Sequence, residues 1–116
     1  MNLEPIARDC ESQLSVIRRF LGIALEPIVD NVKANELLQQ INQPYRSLLQ
    51  QSSLASLEIQ RIRVEAALER LVHDEFGYCC QCGEDIEPQR LRNDPPTPFC
   101  LDCFEALAER KSRSAA

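Results

Sequence analysis

Cys79-Cys80-Gln81-Cys82-Gly83 and Cys100-Leu101-Asp102-Cys103 are the residues best placed to do chemistry, with seventeen residues between Cys82 and Cys100. Taken as Cys79-x-x-Cys82 and Cys100-x-x-Cys103, they form two knuckles at zinc-ribbon spacing. A zinc ion takes four soft donors at the corners of a tetrahedron. Each knuckle spans one edge, so the pair closes the site with Cys79, Cys82, Cys100 and Cys103. Gly83 suits the sharp turn after the second thiolate, where a residue without Cβ takes a positive φ. Two disulfides or a redox dithiol are the competing readings. The paired spacing favours one structural Zn²⁺, and a reducing compartment favours free thiols over a disulfide framework.

A closed four-cysteine site has no open position for substrate or activated water. The chain has a single His, His73, which leaves little for acid–base chemistry. No phosphate loop or Ser/His/Asp set is visible, so the chain is not read as an enzyme. His73 precedes a candidate helix end and is expected at the surface. Cys80 is a spare thiol on its knuckle, and Cys10 is read as a small buried hydrophobe.

The elements that must hold this site are helical. Hydrophobic residues make up 44% of the chain, aromatics only 5%, and there is no Trp. Leu, Ile and Ala dominate, which suits long helices with a lean core that a metal would reinforce. Leu3, Ala7, Cys10, Leu14, Ile17, Leu21, Ala24 and Ile28 follow alternating four- and three-residue steps, one seam of a helix. Pro27 breaks or kinks that helix, which then resumes through Val32, Glu36, Leu38 and Ile41. Asn42-Gln43-Pro44 reads as a turn. From Pro44 to about Glu75 there is no Gly or Pro, and about 32 residues of helix would span about 48 Å. Leu54, Leu57, Val64, Leu68 and Leu71 form its seam, with Gly77 as the C-cap.

The expected architecture is mainly α. An antiparallel helical hairpin, a coiled coil over residues 1–75 with its tip near 36–46, projects as a rod from a four-cysteine zinc finger with a short C-terminal helix, residues 76–116. Asp94-Pro95-Pro96-Thr97-Pro98 is a rigid connector between the knuckles. Ile86, Leu91 and Phe99 are the apolar plugs of the finger. The terminal helix begins near Phe104, and Ser112–Ala116 is expected as a tail.

The net charge is −5. From Phe76 onward seven acids face five bases, and four thiolates add negative charge, which argues against direct DNA binding. No apolar run approaches the length of a membrane span. The acidic N-terminus does not look like a signal peptide, so a cytoplasmic protein is expected.

Glu75-Phe76-Gly77-Tyr78-Cys79-x-x-Cys82-Gly83-x-x-Ile86, followed by Arg90-Leu91, Pro95 and Cys100-x-x-Cys103, resembles the zinc finger of the DksA/TraR family. The hairpin fits that family by length and position, while its sequence match is weak. The resemblance implies a bacterial transcription regulator that binds RNA polymerase through its secondary channel, as a monomer, with zinc as a staple. The partner-binding tip would comprise Glu36, Gln39, Gln40, Asn42, Tyr45 and Arg46. Family members of the DksA type carry an aspartate pair at the tip. Here the only tip acid is Glu36, so that pair does not carry over. Arg63 matches a base used for an alarmone by some members, but Asp94 and Phe104 stand where further bases are wanted, which implies no strong alarmone response. The alternative is a zinc-stapled helical adaptor for a protein other than RNA polymerase.

Overall fold

A computed structural model describes residues 4–115, with side chains described for 5–111. Leu3 of the expected seam lies outside the described residues. Among the described residues six helices follow in order: α1 (Glu4–Ala24), α2 (Asn31–Gln39), α3 (Tyr45–Gln50), α4 (Leu54–Val72), α5 (Pro88–Asn93) and α6 (Leu101–Ala115). Among the described residues there is no β-strand, only an isolated antiparallel bridge between Tyr78 and Asp85. The expected class is therefore present: mainly α, with a helical hairpin, a four-cysteine cluster and a C-terminal helix. That last helix starts at Leu101 and covers the stretch 112–115 expected as tail.

The hairpin differs from the expected rod in two places. Helix α1 stops at Ala24, before Pro27, which has no N–H to continue the ladder. Asp30 then starts α2 by accepting a hydrogen bond from the Lys33 N–H at 3.1 Å. The chain has reversed here. The Gln13 amide, midway along α1, donates to the Gln40 carbonyl at 3.1 Å and accepts from the Asn42 N–H at 2.8 Å. Thus α2 runs antiparallel to α1, and the segment 36–46 lies against the middle of α1 instead of at a distant tip.

The second break falls at 51–53, inside the run expected to be one helix. Ser52 Oγ donates to the Leu48 carbonyl at 2.6 Å, and Ser53 Oγ accepts from the Ser56 N–H at 3.2 Å. These serines terminate α3 and cap α4, a local alternative to continuing the helix. The Cα radius of gyration is 14.9 Å and the extents are 41 × 40 × 23 Å. A compact chain of this length has a radius of about 13 Å, so the chain is somewhat more extended than a compact globule even with α2 folded back.

One core runs through the helices and the finger. It contains Cys10, Leu14, Ile17, Phe20 and Leu21 of α1, Leu37 and Leu38 of α2, Ile41, Tyr45, Leu49, Leu57, Val64 and Ala67, continuing into Phe76, Ile86 and Leu91. The predicted α1 seam is its spine from Cys10 to Leu21. Ile28 falls off it, 91% exposed beyond the helix end, and Leu54 at the start of α4 is 68% exposed. None of the described helices is long and apolar enough to cross a membrane.

The end of α4 also differs from expectation. Gly77 is not its C-cap. The helix ends on a Schellman motif in which Asp74 takes the left-handed position at φ 56°. The Glu75 N–H donates to the Arg70 carbonyl at 2.8 Å, and the Asp74 N–H donates to Leu71 at 3.3 Å. Gly77, at φ 92°, instead turns the chain into the first knuckle.

Candidate metal centre

The first knuckle is shaped by three backbone hydrogen bonds. The Cys79 N–H donates to the Glu84 carbonyl at 2.7 Å, Gly83 donates back to Cys79 at 2.9 Å, and Ile86 donates to Gly77 at 2.8 Å. Gly83 makes the return possible with φ 80°, a region that side chains with Cβ resist. The second knuckle is the start of α6. The Leu101 N–H donates to a Glu87 carboxylate oxygen at 3.1 Å, and the Phe104 N–H donates to the Cys100 carbonyl at 2.9 Å. Backbone N–H groups of Glu87 itself and Leu101 hold the Glu87 carboxyl below its usual range.

These two turns bring the sulfurs of Cys79, Cys82, Cys100 and Cys103 within 4.8 Å of one another. Cys82 and Cys100 sulfurs are 3.8 Å apart. A zinc ion with Zn–S bonds of about 2.3 Å requires tetrahedral edges of about 3.8 Å, so the donor set fits one zinc ion. The six cysteines are all free. Burial opposes ionisation of Cys79, but N–H groups of Cys100, Cys82 and Gln81 outweigh it and bring its thiol down to about 6. Cys103 moves the other way. Burial and the neighbouring Cys100, Cys82 and Cys79 raise its thiol. A metal ion supplies the positive charge that lets all four sit together as thiolates.

The finger is packed from below by Ile86 and Leu91, both buried as expected, with Phe99 partly buried beside them. Arg90 ties the loop together. Its guanidinium donates to the Phe99 carbonyl at 3.1 and 3.2 Å, and to Thr97 Oγ1 at 3.3 Å. It also lies 5.1 Å from the centre of the Phe104 ring. Sequence reasoning missed this role for Arg90, because its partners lie seven to fourteen residues on and one of them is a backbone carbonyl.

Cys80 points away from the cluster. It is exposed, and its N–H donates to the Pro98 carbonyl at 2.8 Å. His73 is exposed, its Nε2 lies 3.0 Å from a Glu69 carboxylate oxygen, and it is not part of the four-cysteine cluster. Cys10 is buried, and its thiol lies 3.5 Å from the Leu91 carbonyl.

The tip residues divide. Glu36, Gln39, Gln40 and Asn42 are exposed and Arg46 is half-buried. Tyr45 is only 2% exposed. Its hydroxyl donates to Gln60 Oε1 at 2.6 Å, so in this arrangement it is a core side chain. Arg63 reaches from α4 to Asp94 at 2.6 Å and to Gln60 at 2.7 Å.

The profile of the prokaryotic dksA/traR C4-type zinc finger matches residues 74–107. The RNA polymerase-binding transcription factor DksA of Haemophilus influenzae is 43% identical over 54 residues, which cover 47% of this chain and 37% of that protein. DksA of Escherichia coli K12 is 35% identical over 54 residues, covering 47% and 35%. An uncharacterised Aquifex aeolicus protein is 38% identical over 61 residues, covering 52% and 41%. The matched stretch thus spans well under half of each of these relatives. The solved structure of transcription factor DksA2 from Pseudomonas aeruginosa is similar at a TM-score of 0.47 and 22% identity, covering 94% of this chain and 81% of that one. The family and curated matches bear out the DksA/TraR resemblance of residues 75–103, and with it a C4-type zinc finger whose four cysteines are placed to bind one metal ion.

Proposed function

We propose that this chain, carrying its DksA/TraR-type zinc finger, is a non-enzymatic bacterial transcription regulator that acts by binding RNA polymerase, entering through the secondary channel. The observation that supports this reading is the finger at 74–107, together with its likeness to DksA relatives that are RNA polymerase-binding transcription factors. Zinc is a staple in this proposal. Four thiolates fill its tetrahedron, so no position remains for a substrate. The chain works in the cytoplasm as a monomer and does not bind DNA directly, in keeping with its net charge of −5.

The surface proposed to meet the polymerase is the exposed set Glu36, Gln39, Gln40 and Asn42, with Arg46 at its edge and Tyr45 as the buried anchor behind it. Glu36 is the sole acid of this set, so the chain lacks the paired carboxylates of DksA-type tips. No strong alarmone response is expected. The charge of Arg63 is matched by Asp94, and Phe104 adds no base.

The test is a pull-down of zinc-loaded chain with bacterial RNA polymerase core enzyme, repeated with Glu36→Ala and Gln39→Ala together. These side chains are exposed, so the variant keeps its fold. The expected result is binding that a second secondary-channel factor displaces and that the double variant weakens. No binding to polymerase overturns the proposal.

A further inference from the structure

We infer that residues 31–50 form a stowed arm, held along α1 in the free chain and released at hinges 25–30 and 51–53 when the chain engages its protein partner. This rests on the proposed role of the 36–46 surface.

Three observations carry it. First, the arm is fastened mainly to α1, with one further side-chain bond from the Tyr45 hydroxyl to Gln60 of α4. Leu37, Leu38, Ile41, Tyr45 and Leu49 point into the core. Gln13 clamps the α2–α3 turn from both sides through Gln40 and Asn42. Second, the arm is not fused to the finger. An open crevice of about 600 Å³ separates them, with Gln13, Asn42, Gln43, Gln89, Arg92 and Asn93 among its walls. Cys10, Leu91 and Pro95 line it too, and across it the arm and the finger are already parted. Third, both hinges are short breaks between helix-forming runs. Large apolar side chains at or beside them lie uncovered: Ile28, Val32, Leu48 and Leu54.

Straightening at both hinges extends α2 from α1 across a kink at Pro27 and joins α3 to α4. Ile28 and Leu54 then take the heptad positions that the sequence assigns them, and Leu38 and Ile41 pack within the extended hairpin. The same apolar side chains thus serve two packings, the condition for a two-state element. The stowed packing holds in the free chain, so release requires a partner with better contacts to the extended form.

Two measurements test this on the full zinc-loaded chain. The first needs no polymerase. Native-state amide exchange in 37–49 is expected to be faster than in 57–67 of α4, through local opening. Gln13→Ala removes two hydrogen bonds and should speed exchange in 37–49 about tenfold while leaving 57–67 unchanged. Equal protection of both segments, or equal acceleration by the variant, overturns the stowed arm. The second places nitroxide labels through bioorthogonal residues at Ser15 and Asn35, both exposed, so that the cysteines stay unlabelled. The label distance should lengthen by roughly 10 Å or more when core polymerase is added, as a nine-residue helix swings out. Binding with an unchanged distance overturns the inference and leaves the polymerase reading standing. Absence of binding removes the polymerase reading, and the exchange experiment still decides the arm.

Discussion

Alkylation of the zinc-loaded chain separates three kinds of cysteine, and the expected order follows from the structure. Cys10 is 3% exposed. Burial, with a smaller contribution from Asp9 and partial relief from Arg92, pushes its thiol from 9.0 to about 11. At pH 8 that shift lowers its thiolate fraction about a hundredfold, and the thiolate is the reacting species. Burial slows it further, since reagent enters only after local opening. Cys80 is exposed, and its side chain stands outside the metal cluster. The four remaining sulfurs are engaged by zinc. Brief exposure to iodoacetamide at pH 8, read by intact mass and peptide mapping, should therefore give one fast adduct, at Cys80. Chelator plus denaturant should give six. The raised thiol also sets a sign for stability. The folded state keeps the Cys10 proton more tightly than the unfolded state, so this contribution is complete below about pH 9. It is lost as pH rises through about 11. Cys10→Ala should flatten that segment of the pH–stability curve. A fast second adduct at Cys10 in the zinc-loaded chain would refute the reasoning, because it would require either an open α1–α5 contact or an ordinary thiol.

Three further outcomes are expected. Removing zinc with a strong chelator should melt the finger, seen as loss of amide protection at Ile86 and Leu91, because no strand and only a six-residue helix order 76–100 without the metal; protection that survives chelation would contradict a structural role. Asp74→Gly should stabilise the chain by about 0.5–1 kcal/mol in denaturant melts, since Asp74 holds φ 56° at the end of α4. Ser53→Ala should cost about 1 kcal/mol in the same assay by removing the α4 cap, and an unchanged midpoint would mean that the 51–53 break is not held by that serine.

The clustering of Cys79, Cys82, Cys100 and Cys103 is legible because its information is local: two Cys-x-x-Cys pairs and a glycine account for most of it. The inward residues of α1 were legible for a related reason, since Cys10, Leu14, Ile17 and Leu21 repeat at helical spacing whatever they pack against. What they pack against was not. A heptad seam says that a face is covered, and α2 folding back satisfies it as well as a distant partner helix would. The break at 51–53 was hidden by strong helix formers on both sides, with two serines tipping the balance through their own side-chain hydrogen bonds. Asp74 displaced Gly77 as the helix terminator because the left-handed position falls two residues after Val72, and Gly77 was needed three residues later for the knuckle. Tyr45 looked like a tip residue from its position in sequence. Its burial depends on Gln60, fifteen residues away, which no local pattern announces.

The finger's effect on the helices follows from where its contacts land. Leu91 of α5 sits against Cys10 of α1, Asp94 holds Arg63 of α4, and the Pro96 carbonyl accepts from Arg70 at 3.4 Å. The segment 91–96 therefore touches both long helices, and it is itself fixed by the Arg90 bonds to Thr97 and Phe99 just before Cys100. Arg63 and Asp94 are both partly exposed, so their ion pair contributes direction more than stability. A metal at the four cysteines would thus brace the direct packing of α1 against α4, although no candidate ligand lies on either helix. Because Cys10, Arg63 and Arg70 meet the finger at separate points along α1 and α4, losing the metal would loosen the relation between the two helices while leaving each helix formed. A metal without chemistry of its own can in this way govern how the helical surface is presented.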